Sequence, residues 1–152
     1  ILKQIDNAMM LLVKSNLKIN SCFNLAKSVP GVGTQSAIYL IIKTRGFTKF
    51  KNWRKLACYA GIAPFEYSSG SSIKGRTKLS HLADKRMKSL LNMAALSAKR
   101  TDKELGDYYG RKVKEGKNKM LVMNAIRCKI LSRIFAVIER ETPFVNTQKF
   151  AA

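Results

Sequence analysis

Between Lys119 and Arg140 the apolar residues Met120, Met123, Ile126, Ile130, Ile134, Val137 and Ile138 recur every three or four positions, and Pro143 follows shortly after. Only an α-helix gathers side chains at that spacing onto one face, so such a chain folds by packing other helices against the stripe. Shorter pieces repeat the pattern. Ile1, Leu2, Ile5, Met9, Leu12 and Val13 predict an amphipathic helix over about residues 1–18. Cys22, Phe23, Leu25 and Ala26 mark a second helix that stops at Val29-Pro30-Gly31, and Thr34 to Lys43 reads as a third, broken by Gly46. Asn52 is placed to cap a fourth from Trp53 to Ala60, with Gly61 just past its end. Helical pattern returns from Leu82 to Ala98. Thr101-Asp102-Lys103-Glu104 then reads as a capping box opening a helix that ends near Gly110 or Gly116. There is no internal repeat and no convincing strand pair. The expected fold is all-α, with six or seven helices.

One segment escapes the pattern. Residues 62–80 run through Pro64, Tyr67-Ser68-Ser69-Gly70-Ser71-Ser72 and Lys74-Gly75-Arg76 without helical or strand period, which predicts a long Ser/Gly/basic loop. A loop of that length inside a compact domain is usually functional or disordered. The organisation expected is a helical extension over 1–28 (a linker or oligomerisation helix), a domain over 29–145 and a tail over 146–152. The chain begins at Ile1 without an initiator Met or a cleavage signal, and so reads as an excised fragment. Apolar runs such as Ile38 to Ile42 fall far short of the roughly twenty residues of a membrane span. Three isolated cysteines, Cys22, Cys58 and Cys128, argue against a disulfide framework and against structural zinc, and favour a reducing cytoplasm.

Charge narrows the choice of partner. The chain carries 29 Lys and Arg against 9 Asp and Glu, a net charge of +20. No acid stands between Asn7 and Phe65, where Lys14, Lys18, Lys27, Lys43, Arg45, Lys49, Lys51, Arg54 and Lys55 fall. Lys74, Arg76, Lys78, Lys85, Arg86 and Lys88 continue the run past Glu66. An unpartnered surface of this charge repels itself, which points to a polyanion, and above all to a phosphate backbone. No single Lys/Arg-faced amphipathic helix suggests a membrane surface instead.

Leu25 to Leu40, LAKSVPGVGTQSAIYL, resembles a helix-hairpin-helix. Gly31 and Gly33 let the backbone bend close to a phosphate, and free N–H groups from Thr34 onward open the next helix toward its oxygens. Lys27 and Lys43 would add charge nearby. A plain helix-connecting turn is the alternative. Phe47, Phe50, Trp53 and Tyr59 lie among Lys49, Lys51, Arg54 and Lys55, a pattern that suits either stacking on unpaired bases or an ordinary core. His81, the only histidine, is most simply a phosphate contact, and Glu66 and Asp84 are too few for a two-metal centre. Ser68 and Ser69 can attack a phosphodiester if activated, but a Ser/Gly-rich stretch is equally a flexible linker.

Taken in order, Val29-Pro30-Gly31-Val32-Gly33, Phe50 to Ala57, Tyr59 to Pro64, Tyr67-Ser68-Ser69-Gly70, Gly75-Arg76, Lys78-Leu79-Ser80, Gly116-Lys117 and Asn124-Ala125-Ile126-Arg127 resemble the C-terminal domain of the IS110/IS116/IS902 insertion-sequence transposases, relatives of the Piv DNA invertase. The resemblance implies DNA strand exchange, site-specific or guided by an RNA, through branched DNA and by a homo-oligomer. It implies a catalytic serine at Ser69, with Ser68 as its alternative, Gly70 keeping the backbone slim where DNA enters, and Arg76 and Lys78 on phosphate. With the composition it marks Gly31, Gly33, Thr34, Lys43, Lys51, Arg54, Lys74, His81, Lys85 and Arg86 as further DNA-binding residues. It also implies Mg²⁺ on four acids of a separate N-terminal domain, and no cofactor within this chain. His81-Leu82-Ala83-Asp84 departs from the basic pair, glycine and asparagine that the family often has there. This stretch of chain is expected to bind nucleic acid and not to cleave it alone.

Overall fold

The computed structural model describes residues 2–63, 68–69, 73–74 and 82–146. Among these, seven helices follow one another: α1 (Leu2–Ser15), α2 (Leu17–Ser28), α3 (Thr34–Thr44), α4 (Trp53–Tyr59), α5 (Lys85–Thr101), α6 (Lys103–Lys114) and α7 (Lys119–Arg140). Between α4 and α5, β1 (Ser68–Ser69) pairs antiparallel with β2 (Ile73–Lys74), in the register Ser68 to Lys74 and Ser69 to Ile73. The fold is all-α, and among the described residues this two-residue ladder is the one departure, inside the segment expected to be a loop.

The stripe of α7 organises the core. Ile126, Ile130, Leu131, Ile134 and Val137 are fully buried, and α2, α4, α5 and α6 all pack against that helix. Each such aliphatic side chain contributes about 1.5–3 kcal/mol relative to an exposed one. Met120, expected on the buried face, is instead 63 % exposed, so burial of the stripe starts at Val122 and Met123. α2 adds Cys22, Phe23, Leu25 and Ala26 to the same core, whereas α1 adds Val13, with Met9 and Met10 half-buried against it.

Side-chain caps set most helix starts. The helix expected over 1–18 divides because Asn16 accepts a hydrogen bond from Ile19 N (3.1 Å) and opens α2. Asn52 caps α4 by accepting from Lys55 N, as its place in the sequence suggests. α5 begins at Lys85, later than its apolar pattern, because Asp84 accepts from Met87 N (2.9 Å). At the next junction Thr101 ends α5, and Asp102, not Thr101, caps α6 through Glu104 N (3.0 Å). The Asp102 carboxylate accepts more strongly than a hydroxyl and also holds Arg133 at 2.7 Å, which decides between the two adjacent candidates.

Two glycines fix the connections that matter for the site. Gly31, at φ +86°, ends the α2–α3 turn so close to α5 that a Cβ there would lie 2.2 Å from Ala94 O and 2.7 Å from Ala98 Cβ. Gly61, at φ +67°, sits where a Cβ would lie 2.6 Å from Ala83 Cβ. The chain therefore leaves α4 and returns to α5 at nearly the same point, and Asp84 N donates to Tyr59 O (3.0 Å) across the gap.

Candidate nucleic-acid interface

The described acids are largely engaged. Asp102 and Glu104 grip opposite arms of the Arg133 guanidinium at 2.7 and 2.6 Å. Glu115 pairs with Lys112 at 2.7 Å and, more distantly, with Arg111, while Asp6 accepts from Gln35 Nε2 at 2.8 Å. Asp84 is held by α3, as described below. With so few acids and most of them occupied, the surface field is set by cations, and Lys51, Arg54, Lys55, Lys85 and Arg86 all stand exposed.

The two glycines of the α2–α3 turn divide their work. Gly31 is packed against α5, so its missing side chain serves helix packing. Gly33 is exposed, has open space around it, and occupies the N-cap of α3 without a side-chain cap. The first-turn N–H groups of α3 are therefore left for an outside acceptor, at the end of a helix that favours an anion. Lys27 reaches this end, its Nζ donating to Thr34 Oγ1 at 3.3 Å. Lys43 does not: it lies nine residues further along α3, about 14 Å away at 1.5 Å per residue.

Lys43 belongs to a second group, at the foot of the segment that carries Ser69. Its Nζ lies 3.4 Å from Asp84 Oδ2, and Tyr39 Oη donates to both Asp84 oxygens at 3.0 Å. Arg86 lies over the Tyr39 ring, 5.8 Å from its centroid. Burial pushes the Asp84 carboxyl up, but hydrogen bonds from Met87 N–H, Tyr39 and Lys43 outweigh it, and the pKa falls below the ordinary carboxylate value. Lys43 is raised by the same contact, so both partners stay charged. Thus the end of α3, the end of α4 and the start of α5 are tied together, with Lys43, Lys85 and Arg86 around the knot.

A further residue here is invisible to sequence reasoning. Arg127, on α7, is buried without a carboxylate partner among the described residues. Its two terminal nitrogens donate to Asn92 Oδ1 (2.6 Å) and Asn124 Oδ1 (3.3 Å), and its Nε has no acceptor among the described residues. Desolvation lowers its pKa. Asn124 in turn donates through Nδ2 to Ile62 O, at the root of the same segment. Asn124 and Arg127 close a recognisable sequence block, but nothing in the pattern signals burial of the guanidinium.

The remaining sequence candidates sort as follows. Ser68, Ser69 and Lys74 lie in the β1–β2 ladder, which places Ser68 opposite Lys74 in backbone register. Gly70, Arg76, Lys78 and His81 lie outside the described residues. Of the four aromatics, Phe47 packs edge-on against Phe135 of α7 (5.7 Å), while Phe50 and Tyr59 pack on each other (5.4 Å) and Trp53 carries Arg54 over its ring (5.2 Å). Among the described residues no group of three His, Cys, Asp or Glu can hold a metal ion, and no helix is long and apolar enough to cross a membrane.

The family model for the IS116/IS110/IS902 transposases matches residues 24–110. The pilin gene-inverting protein of Moraxella bovis is 28 % identical over 147 residues, covering 93 % of this chain and 44 % of that protein. An uncharacterised 43.6 kDa protein of insertion element IS110 from Streptomyces coelicolor is 30 % identical over 115 residues, covering 76 % of this chain and 28 % of the relative. A 42 kDa protein of element IS900 from Mycobacterium paratuberculosis is 31 % identical over 112 residues, covering 73 % and 28 %. The chain thus spans less than half the length of these relatives.

Proposed function

The chain belongs to the IS116/IS110/IS902 transposase family, and from that membership and its charge we propose that it is the part of a DNA recombinase that holds the DNA and supplies Ser69 as nucleophile. The name of the Moraxella relative, a protein that inverts a pilin gene, supports strand exchange as the activity of the longer protein. The observation that carries the reading is the convergence at the foot of the Ser69 segment. Gly61 against Ala83 and Asp84 against Tyr59 bring both ends of that segment to one place, and Lys43, Lys85 and Arg86 stand around it.

Such a cluster offsets the charge of a phosphodiester and of the phosphoryl group in transfer. In the reaction proposed, Ser69 Oγ forms a bond to phosphorus, the bond to one sugar oxygen breaks, and the serine proton leaves to that oxygen. The cut strand stays on the protein as a phosphoserine ester, and attack by a second sugar hydroxyl reverses the step onto a new strand. The open N-terminus of α3, with Lys27 beside it, holds backbone at a distance from the cut and reads no sequence. The Mg²⁺ implied for the family finds no ligand set among the described residues, so no step of this chain is assigned to it. A homo-oligomer and a guide RNA belong to the proposal for the longer protein.

Salt dependence of DNA binding tests the holding role. The logarithm of affinity is expected to fall linearly with the logarithm of salt concentration, and replacing Lys74, Arg76 and Lys78 together by Ala lowers the slope by about 3, close to one unit per lost phosphate contact. Affinity independent of salt contradicts it. Should Ser69→Ala leave strand exchange by the longer protein intact, the chain is a binding module without a nucleophile.

A further inference from the structure

Beside the same foot lies a cleft of about 710 Å³, walled by Phe50 and Tyr59 on one side and by Leu82 and Ala83 on the other, with Arg54 and Lys55 at its edge. The two rings meet at 5.4 Å with their planes tilted by 50°. Lys49 Nζ stands 5.5 Å from the Phe50 centroid and 5.3 Å from that of Tyr59. Leu82 is 92 % exposed. Among the described residues no acid lines the cleft, and Arg54, Lys55 and Lys49 are all exposed. Asn52 and Cys58 complete the described lining, and an apolar, aromatic slot whose described charged residues are all cations suits a flat ring attached to a phosphate. A shallower concavity on α6, lined by Asp107 and Glu115 as well as Arg111 and Lys114, lacks both features.

We propose that this cleft takes a single unpaired base, stacked on Phe50 and Tyr59, with the flanking phosphates on Arg54 and Lys55. A base inside a duplex is covered on both faces by its neighbours, so only one that has left the stack can enter. Stacking on an aromatic face is tolerant of base identity, in keeping with a site that has few hydrogen-bonding groups. The volume lies within the range of pockets that enclose small ligands and accommodates a nucleotide. The location gives the site its use. Tyr59 O accepts from Asp84 N, and Leu82 and Ala83 are where the Ser69 segment rejoins the fold. A base held there is taken from the strand beside the point of exchange, where branched DNA exposes unpaired nucleotides. This inference rests on the DNA-holding role proposed above and adds which part of the DNA is gripped.

The test uses the 152-residue chain and two fluorescent probes: a DNA duplex, and the same duplex with a single 2-aminopurine bulge. Anisotropy gives the affinities, and 2-aminopurine emission reports stacking of the bulged base. Wild type is expected to prefer the bulged probe by roughly 5- to 150-fold, the range that one base–aromatic stack supplies, and to quench its emission. Tyr59→Leu keeps apolar bulk and removes the aromatic face, so the ratio of affinities should fall toward one. Tyr59→Phe should restore it, which separates stacking from a fold defect. Equal binding of both probes by wild type, or a preference unaltered in Tyr59→Leu, overturns the base site while leaving DNA binding in place. Binding of neither probe at low salt removes both the base site and the role on which it rests.

Discussion

Replacing Gly31 by Ala places a methyl group where the α2–α3 turn meets α5. The backbone there has φ +86°, a conformation that costs an L-residue about 1–2 kcal/mol. The new Cβ would stand 2.2 Å from Ala94 O, 2.7 Å from Ala98 Cβ and 2.9 Å from Ala98 N. Two of these three atoms are backbone within α5, so no side chain can swing aside, and the turn must lift off the helix. Overpacking of this kind costs about 1–3 kcal/mol. The sum, roughly 2–5 kcal/mol, lowers the melting temperature of a domain this size by about 5–20 °C. Gly33→Ala is the matched control: its φ is −87°, nothing lies within 4 Å, and the expected change is about 1 kcal/mol or less. Differential scanning calorimetry of the two variants against wild type decides the matter. A Gly31→Ala protein that melts within about 2 °C of wild type would refute the close approach to α5.

Three further outcomes follow from the same geometry. Gly33→Asp supplies the missing cap of α3, so thermal stability should rise by about 0.5–1 kcal/mol while DNA affinity falls, because the new carboxylate occupies the N–H groups proposed to hold phosphate; unchanged affinity argues against that contact. Asp84 has a depressed pKa, so its contribution to stability is complete above the unfolded carboxyl value near 4 and is lost as pH falls through the lower folded value. Melting curves from pH 7 to pH 2.5 should therefore show wild type losing more stability than Asp84→Ala; parallel pH profiles contradict the knot. Asn124→Ala removes the donor to Ile62 O and one acceptor of Arg127, so amide exchange at Ile62 and Ala63 should quicken by about tenfold and stability should drop by about 1–3 kcal/mol; no change in either detaches Arg127 from the segment root.

How much of this is legible in the sequence depends on whether a residue acts locally. The stripe of α7 and the Asn52 cap are local patterns, and the helix bounds Lys119–Arg140 coincide with the periodic run. At Thr101-Asp102 two cap-competent residues stand side by side, and the tie goes to the one that also meets Arg133, a contact of 31 residues' separation. The hairpin glycines show the limit of a motif. Pro-Gly-x-Gly specifies a turn, but the need for a bare Cα at Gly31 depends on where α5 packs, since it is Ala94 and Ala98 that leave no room for a Cβ. Sequence proximity groups Lys43 with the hairpin, yet the rise of α3 carries it to the far end, beside Asp84. Arg127 is a tertiary fact entirely. The family block around the serine, by contrast, needs no folding argument, since the order of short motifs carries it.

The serine is the central claim, and a covalent protein–DNA adduct tests it most directly. The full-length protein would be incubated with the DNA ends that flank its gene, any RNA that copurifies, and Mg²⁺, then denatured and resolved by gel. Wild type and Ser68→Ala should form the adduct and Ser69→Ala should not. Strand cutting by wild type without any adduct, or an adduct that survives Ser69→Ala and vanishes with Ser68→Ala, would contradict Ser69 as the nucleophile.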